Sequence, residues 1–282
     1  MGAIASIFGY LLNAIYNIVQ NYGIAIILFS VVLKIVLLPI SIKQQKTMKK
    51  TAKMQEKMKE IQDKYKNDPE RLNQETLNLY KTEKMSPFSG CFSAIIQIVL
   101  LLSVFYLVKS PLTYMKKVDP SVIENYTNEI KQEGQSKNNV YPEISIIKEK
   151  GAEDPNVYIN MEFLGLDLSS VPTQNLSDPK VYVIPVLYVI SSFVSMKLTN
   201  NLTAKKKKKQ EEGDGKQEGT ELDAVAQANK SMMYLMPVMS VSISLVAPLG
   251  LALYWLVSNL LMIVERLILN KLDDKEEERE NA

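Results

Sequence analysis

The chain has 282 residues, and its 33 basic and 31 acidic side chains leave a net charge of only +2. It contains no histidine and a single cysteine, Cys91, which excludes histidine-dependent triads, histidine metal sites, CxxC redox pairs and an intramolecular disulfide. No nucleotide-binding or nucleophile-elbow motif occurs, so we predict a protein that is not an enzyme and uses no cofactor or metal.

The amino-terminal segment 1–21 has apolar residues at helical spacing, with asparagine and glutamine elsewhere on the helical wheel. This pattern predicts an amphipathic helix that lies in the membrane interface. The segment lacks a basic start and a small-residue cleavage site, which argues against a signal peptide that is removed.

Five later stretches are apolar and long enough to cross a bilayer, although the mean hydropathy of the whole chain is only -0.04. We predict spans at 22–42, 85–109, 181–199, 230–247 and 250–269. Only Pro248 and Leu249 separate the last two, which predicts a tight antiparallel hairpin. The predicted fold is an all-α, polytopic membrane protein.

The segments between the spans differ in composition. Residues 43–84 form two amphipathic stretches around a break and predict a cytoplasmic helical hairpin. Its strip of Met48, Met54 and Met58 suits adaptable binding of apolar partners, and the alternative is a solvated connector whose lysines serve topology. The charged, low-complexity composition of much of 200–229 predicts a disordered cytoplasmic linker. Residues 270–282 are predicted to form a cytoplasmic tail. The long segment 110–180 shows no readable structure over 115–160.

The distribution of lysine and arginine predicts the orientation. Segment 43–84 has twelve basic and seven acidic residues, whereas 110–180 has seven basic and eleven acidic ones. We therefore expect the amino terminus outside the cell and the carboxyl terminus in the cytoplasm.

Lys34 lies near the middle of the first span, where a lysine costs about 2.5 to 3.5 kcal/mol. At the helical rise it is about 12 Å inside the boundary at Ile42, farther than its side chain comfortably reaches. Ser30 lies one turn earlier, and Gln97 continues a polar face on the second span. We predict a hydrated cavity that holds these three residues, while the serines of the other spans are also explained by helix packing.

Four stretches of the chain together carry a specific family resemblance. They are VVLKIVLLPISIKQQKTMKK, LYKTEKMSPFSGCFSAIIQ, FLGLDLS, and KSMMYLMP with PLGLALYWLVSN. In this order they resemble the YidC membrane protein insertases, related to the mitochondrial oxidase-assembly and chloroplast Albino proteins. The absence of a large domain before the first matching span resembles the Gram-positive type.

The resemblance implies five membrane helices around a groove that is open to the cytoplasm and guides insertion of hydrophobic segments. It places Lys34, Ser30, Gln97 and Trp255 in the groove, with the hairpin and its methionine strip capturing substrate. Tyr254, a polar position next to Trp255 on the last span, is predicted to line the groove as well. Lys34 stands where the family usually has arginine. The compact ammonium charge of lysine therefore replaces the planar guanidinium group of arginine.

The implied partners are nascent membrane proteins and membrane lipids, with the Sec translocon and the ribosome as further candidates and no nucleic-acid substrate. The implied location is the bacterial plasma membrane. The alternative from another class is an ion channel or secondary transporter, although the chain shows no internal repeat. A passive assembly scaffold is a third option.

Overall fold

The computed structural model describes residues 2–83, 89–132, 140–207 and 241–280. The chain divides into two compact units, one formed by 33–104 and the other by 2–32 together with 105–282. Four described helices are long and apolar enough to cross a membrane: Gly2–Val19, Tyr22–Thr47, Pro179–Leu198 and Leu249–Leu269. The predicted all-α polytopic class is confirmed.

The unit formed by 33–104 contains most of α2 (Tyr22–Lys64), all of α3 (Pro69–Thr82) and much of α4 (Ser89–Lys109). Helix α2 runs for 43 residues through Pro39 and past the predicted boundary at residue 42, so the first span and the first arm of the hairpin are one helix. Asp68 caps α3 by accepting a hydrogen bond from the backbone N–H of Arg71 at 3.1 Å.

The other unit begins with α1 (Gly2–Val19), which packs on a π-helical turn, Leu112–Lys116. Gly9 makes this approach possible, because a Cβ there would lie 1.8 Å from the carbonyl oxygen of Tyr114. Lys117 donates a hydrogen bond to the Ser6 hydroxyl at 3.0 Å and lies 4.5 Å from the centre of the Tyr10 ring. Helix α1 is thus held to the segment that follows α4.

The segment 110–180 is folded where the structure describes it, including the parts of 115–160 for which the sequence predicted no structure. It contains α5 (Pro120–Gln132), α6 (Pro142–Lys150) and a hairpin of β1 (Glu162–Phe163) with β2 (Leu166–Asp167). Phe163 is paired with Leu166 across the hairpin. Two 3₁₀ turns, Pro172–Gln174 and Pro179–Tyr182, then lead into α7.

Helix α7 covers Val183–Lys207, so it continues into the stretch predicted to be a disordered linker from residue 200. A short helix over 241–246 precedes the corner at Pro248, and α8 covers Leu249–Glu280. Helix α8 therefore extends through most of the predicted tail. Most of the predicted fourth span and the rest of the linker lie outside the described residues.

Candidate functional site

The polar positions of α2 lie on a face of a continuous helix. Lys34 is partly buried, and Ser30, one turn earlier, is 4 % exposed. The Ser30 hydroxyl donates to the carbonyl oxygen of Ile26 at 2.7 Å, so its proton is used within the helix. What Ser30 can still offer another group is an acceptor oxygen.

Next to Ser30, Phe29 fixes the position of the first part of α2. It is 1 % exposed, and its ring lies 5.8 Å from Phe8 of α1 and 6.5 Å from Tyr254 of α8, centre to centre. Tyr254 itself is partly exposed. The predicted groove residue Tyr254 therefore lies beside the turn of α2 that carries Ser30.

Trp255 packs between helices α7 and α8. It is 7 % exposed, and its ring centre lies 5.9 Å from that of Tyr188 on α7. One turn further on, the Asn259 side-chain amide donates to the hydroxyls of Ser191 at 2.9 Å and Ser192 at 3.2 Å. These contacts favour the packing interpretation for the two serines and give Trp255 a supporting position rather than an open one.

The methionines predicted to capture substrate are buried where their side chains are described. Met54 is 6 % exposed and Met58 8 %, with the Met58 sulfur 3.6 Å from the Thr76 hydroxyl oxygen on α3. An ion pair between Lys57 and Glu83 also joins the two arms. The side chains of Met48 and Gln97 lie outside the described part of the structure, although their backbones belong to α2 and α4.

Three candidate spans begin at one layer of the protein, and the β-hairpin region holds them there. The backbone N–H of Tyr22, at the start of α2, donates to the carbonyl of Asn160 at 3.0 Å, and that of Gly250, at the start of α8, donates to Leu168 at 3.0 Å. The turn Pro179–Tyr182 contacts β2 and runs directly into α7. Helices α2, α7 and α8 therefore all have their amino-terminal ends in this layer.

A buried carboxylate organises the segment next to this layer. Glu143, at the start of α6, is 5 % exposed and accepts hydrogen bonds from the Thr113 hydroxyl at 2.6 Å and the Thr113 backbone N–H at 3.0 Å. Burial raises the pKa of Glu143 above its ordinary value of 4.5, and the hydrogen bonds partly oppose that rise. This carboxylate fastens α6 to the π-helical turn that supports α1.

Sequence reasoning did not find the layer at the span starts. Asn160, Phe163 and Leu168 form it, and the only signal was the short motif FLGLDLS, for which no structural role was predicted. Two β-strand residues on each side of a turn are too few for a periodic pattern to be recognised. The helical parts of the site were predicted because their apolar and polar residues follow patterns that extend over whole spans.

The apolar helices, their common starting layer and the lysine within α2 define a multi-pass helical membrane protein with a lysine in one of its candidate spans. The family model described as "60Kd inner membrane protein" matches residues 14–277. The chain belongs to this family, which confirms the resemblance found in the sequence, and it is a multi-pass protein of the bacterial membrane.

Curated relatives are named "Membrane protein insertase YidC". The protein of Fusobacterium nucleatum is 28 % identical over 262 residues, which are 93 % of this chain and 92 % of that relative. The protein of Citrifermentans bemidjiense is 27 % identical over 96 % of this chain but only 37 % of its own length. A Caldanaerobacter subterraneus relative is 40 % identical over 39 % of this chain and 53 % of its own. The chain thus spans nearly all of one relative and about a third to a half of the others.

Proposed function

We propose that this protein is a membrane protein insertase in which the charge of Lys34 draws the polar end of a substrate segment into the membrane. The observation that carries the proposal is a partly buried lysine near the middle of a candidate span, in a chain that belongs to this family. The alternative, an ion channel or secondary transporter, is not favoured by the family membership.

The physical basis is the cost of moving a charged tail through hydrocarbon. A lysine at the centre of a membrane helix has a high free-energy cost in hydrocarbon. Water or polar groups therefore lie near it. An acidic residue in the outgoing tail of a substrate then exchanges part of its hydration for attraction to the Lys34 ammonium. No bond is made or broken in this process, so the protein acts without a catalytic step.

The remaining groove residues have different parts in the proposal. Ser30 supplies an acceptor oxygen one turn from Lys34, and Tyr254 lies beside that turn through Phe29. Gln97 is assigned to the groove by the family resemblance alone. Trp255 acts indirectly, since its contact with Tyr188 holds α8 against α7.

The hairpin of α2 and α3 is the proposed capture element for an emerging apolar segment. Met54 and Met58 become available to a substrate when α3 separates from α2, because both are buried in the closed hairpin. Leu77 on α3 is 56 % exposed and is already available as a first contact. A hairpin that opens would suit substrates of varied shape, as flexible methionine surfaces do.

The orientation and partners complete the proposal. The lysine-rich arm of α2 lies in the cytoplasm, because basic residues favour that side of the membrane. The starts of α2, α7 and α8 then lie outside the cell, and the carboxyl terminus lies in the cytoplasm. Substrates are nascent membrane proteins, and lipids surround the spans. Work beside the Sec translocon, or with the ribosome against the basic arm of α2, is a further part of the proposal.

Insertion of a single-span substrate into liposomes tests the central claim. We expect Lys34→Gln to reduce insertion of a substrate with an acidic tail, Lys34→Arg to preserve it, and a substrate with a neutral tail to be affected much less. Lys43→Gln is the matched control, because it removes the same charge from an exposed position nine residues further along α2. Equal insertion of the acidic substrate by wild type and Lys34→Gln would refute the role of the charge.

A further inference from the structure

The tip of the β-hairpin carries an aliphatic side chain that touches little of the protein. Leu164 is 86 % exposed and lies outside the candidate membrane spans. It has a φ of 53° and is followed by Gly165 with a φ of 75°, the pattern of a tight two-residue hairpin turn. A positive φ at the first turn position is typical of asparagine or glycine and unfavourable for leucine. The Leu164 side chain also gains little from packing within the protein, because it is 86 % exposed.

The hairpin is rigidly attached to the start of a membrane span. The Phe163 ring lies against Gly23, where an added Cβ would be 2.4 Å from it. The Asn21 side-chain amide donates to the carbonyl of Glu162 at 2.7 Å, and the backbone N–H of Asn160 donates to the Tyr16 hydroxyl at 2.8 Å. The tip therefore lies at the level where α1 ends and α2 enters the membrane.

Two further aliphatic side chains are exposed within four residues of a span start. Leu176 is 71 % exposed and lies three residues before the candidate span Pro179–Leu198. Ile18 is 83 % exposed in the last turn of α1, next to the corner that leads into α2. Because α2 and α7 begin in the hairpin layer, both residues lie close in sequence to the point where a span begins.

We propose that Leu164 and Leu176, with Ile18 beside them, insert into the lipid leaflet at the amino-terminal ends of α2, α7 and α8 and anchor the hairpin layer to it. The occupant is lipid because exposed apolar side chains follow in the first turns of the attached spans, at Ile24 and Leu28 on α2 and at Val183 and Leu187 on α7. Insertion gives the exposed leucine at the tip an apolar environment that the protein itself does not provide. The anchor is separate from the insertion of substrates and goes beyond the proposed function.

The test uses the full chain in phosphatidylcholine vesicles at a low ratio of protein to lipid. Since Cys91 is the sole cysteine, a Cys91→Ser background allows an NBD fluorophore to be attached at Leu164→Cys or Leu176→Cys. Asn128→Cys, at an exposed position on α5 in the same outer segment, is the matched control. Quenching is compared between lipid that carries a nitroxide near the headgroup and iodide supplied on both sides of the membrane.

We expect the probes at 164 and 176 to be quenched several-fold more by nitroxide lipid than the probe at 128, and to be shielded from iodide. Iodide quenching at 164 as strong as at 128 would overturn the proposal. Shielding from both quenchers would also overturn it, because the tip would then be covered by a second copy of the chain. Far-ultraviolet circular dichroism identifies correctly folded variants, and cysteine strains the turn no more than the leucine it replaces.

Discussion

The side-chain amide of Asn259 lies 2.9 Å from the Ser191 hydroxyl, and this hydrogen bond joins α8 to α7 within their candidate spans. Ser191 in turn donates to the carbonyl of Tyr188 at 2.8 Å, and Tyr188 contacts Trp255. A polar contact and an aromatic contact therefore lie one turn apart along the same helix pair.

Removal of this polar contact is expected to weaken the helix pair modestly. Double-mutant cycles on comparable hydrogen bonds in membranes average about 0.6 kcal/mol and reach about 1.7 kcal/mol. A cycle of Asn259→Leu and Ser191→Ala, followed by SDS unfolding in mixed micelles, measures the coupling. Leu260→Ala at the adjacent, more exposed position is the control and should change stability little. Strictly additive effects of the two substitutions would show that the contact contributes nothing.

The close approach of α1 to the π-helical turn predicts a sharp difference between two glycines. Gly9→Ala places a Cβ where the Tyr114 carbonyl stands, so α1 must shift away, at a cost of about 1 to 3 kcal/mol. Gly2→Ala meets only an ordinary contact at 3.6 Å and should be nearly neutral. Thermal unfolding of both variants in detergent checks this prediction, which equal melting temperatures would contradict.

The buried Glu143 predicts that stability near the outer layer falls as the pH rises. Because burial raises its folded pKa above 4.5, its stabilisation is complete below that pH and is lost as the pH increases through the raised value. Glu143→Gln removes the charge and still accepts from the Thr113 backbone, so it should flatten this dependence. Hydrogen exchange over 112–116, corrected for intrinsic rates and measured from about pH 4 to 8, is the readout.

Asp119 provides a control of opposite sign for that experiment. Hydrogen bonds from the Ser121 hydroxyl and backbone N–H lower the pKa of Asp119 below 3.8, so its stabilisation is present above that pH and is lost as the pH falls. Asp119→Asn should therefore change only the acidic end of the profile. A profile in Glu143→Gln identical to that of wild type would contradict the assignment to Glu143.

The capture role proposed for the hairpin requires α3 to separate from α2. A reducible thiol crosslinker between Met58→Cys and Thr76→Cys, in a Cys91→Ser background, should hold the arms closed because these side chains touch. We expect crosslinking to lower insertion several-fold and a reductant to restore it. Each single-cysteine variant treated with the same reagent is the control. Unchanged insertion by the crosslinked protein would show that Met54 and Met58 do not meet substrate.

Residue type and spacing were enough to identify the class, the family and the polar position on α2. A span is a long local pattern of apolar residues, and a charge within it stands out against its neighbours, so neither needs knowledge of distant contacts. The same local character explains why helix ends were less certain. The pattern predicted a helical arm after residue 42 but not that it is continuous with the first span in α2, and nothing marked the continuation of α7 to Lys207.

Whether a polar or apolar side chain is available to a substrate depended on packing between elements far apart in the chain. Trp255 and Met58 looked like binding residues by type, yet Tyr188 and Thr76 cover them. The layer at the span starts likewise comes from long-range hydrogen bonds such as that between Tyr22 and Asn160. Such contacts depend on how helices meet in three dimensions, which a one-dimensional pattern of residues does not encode locally.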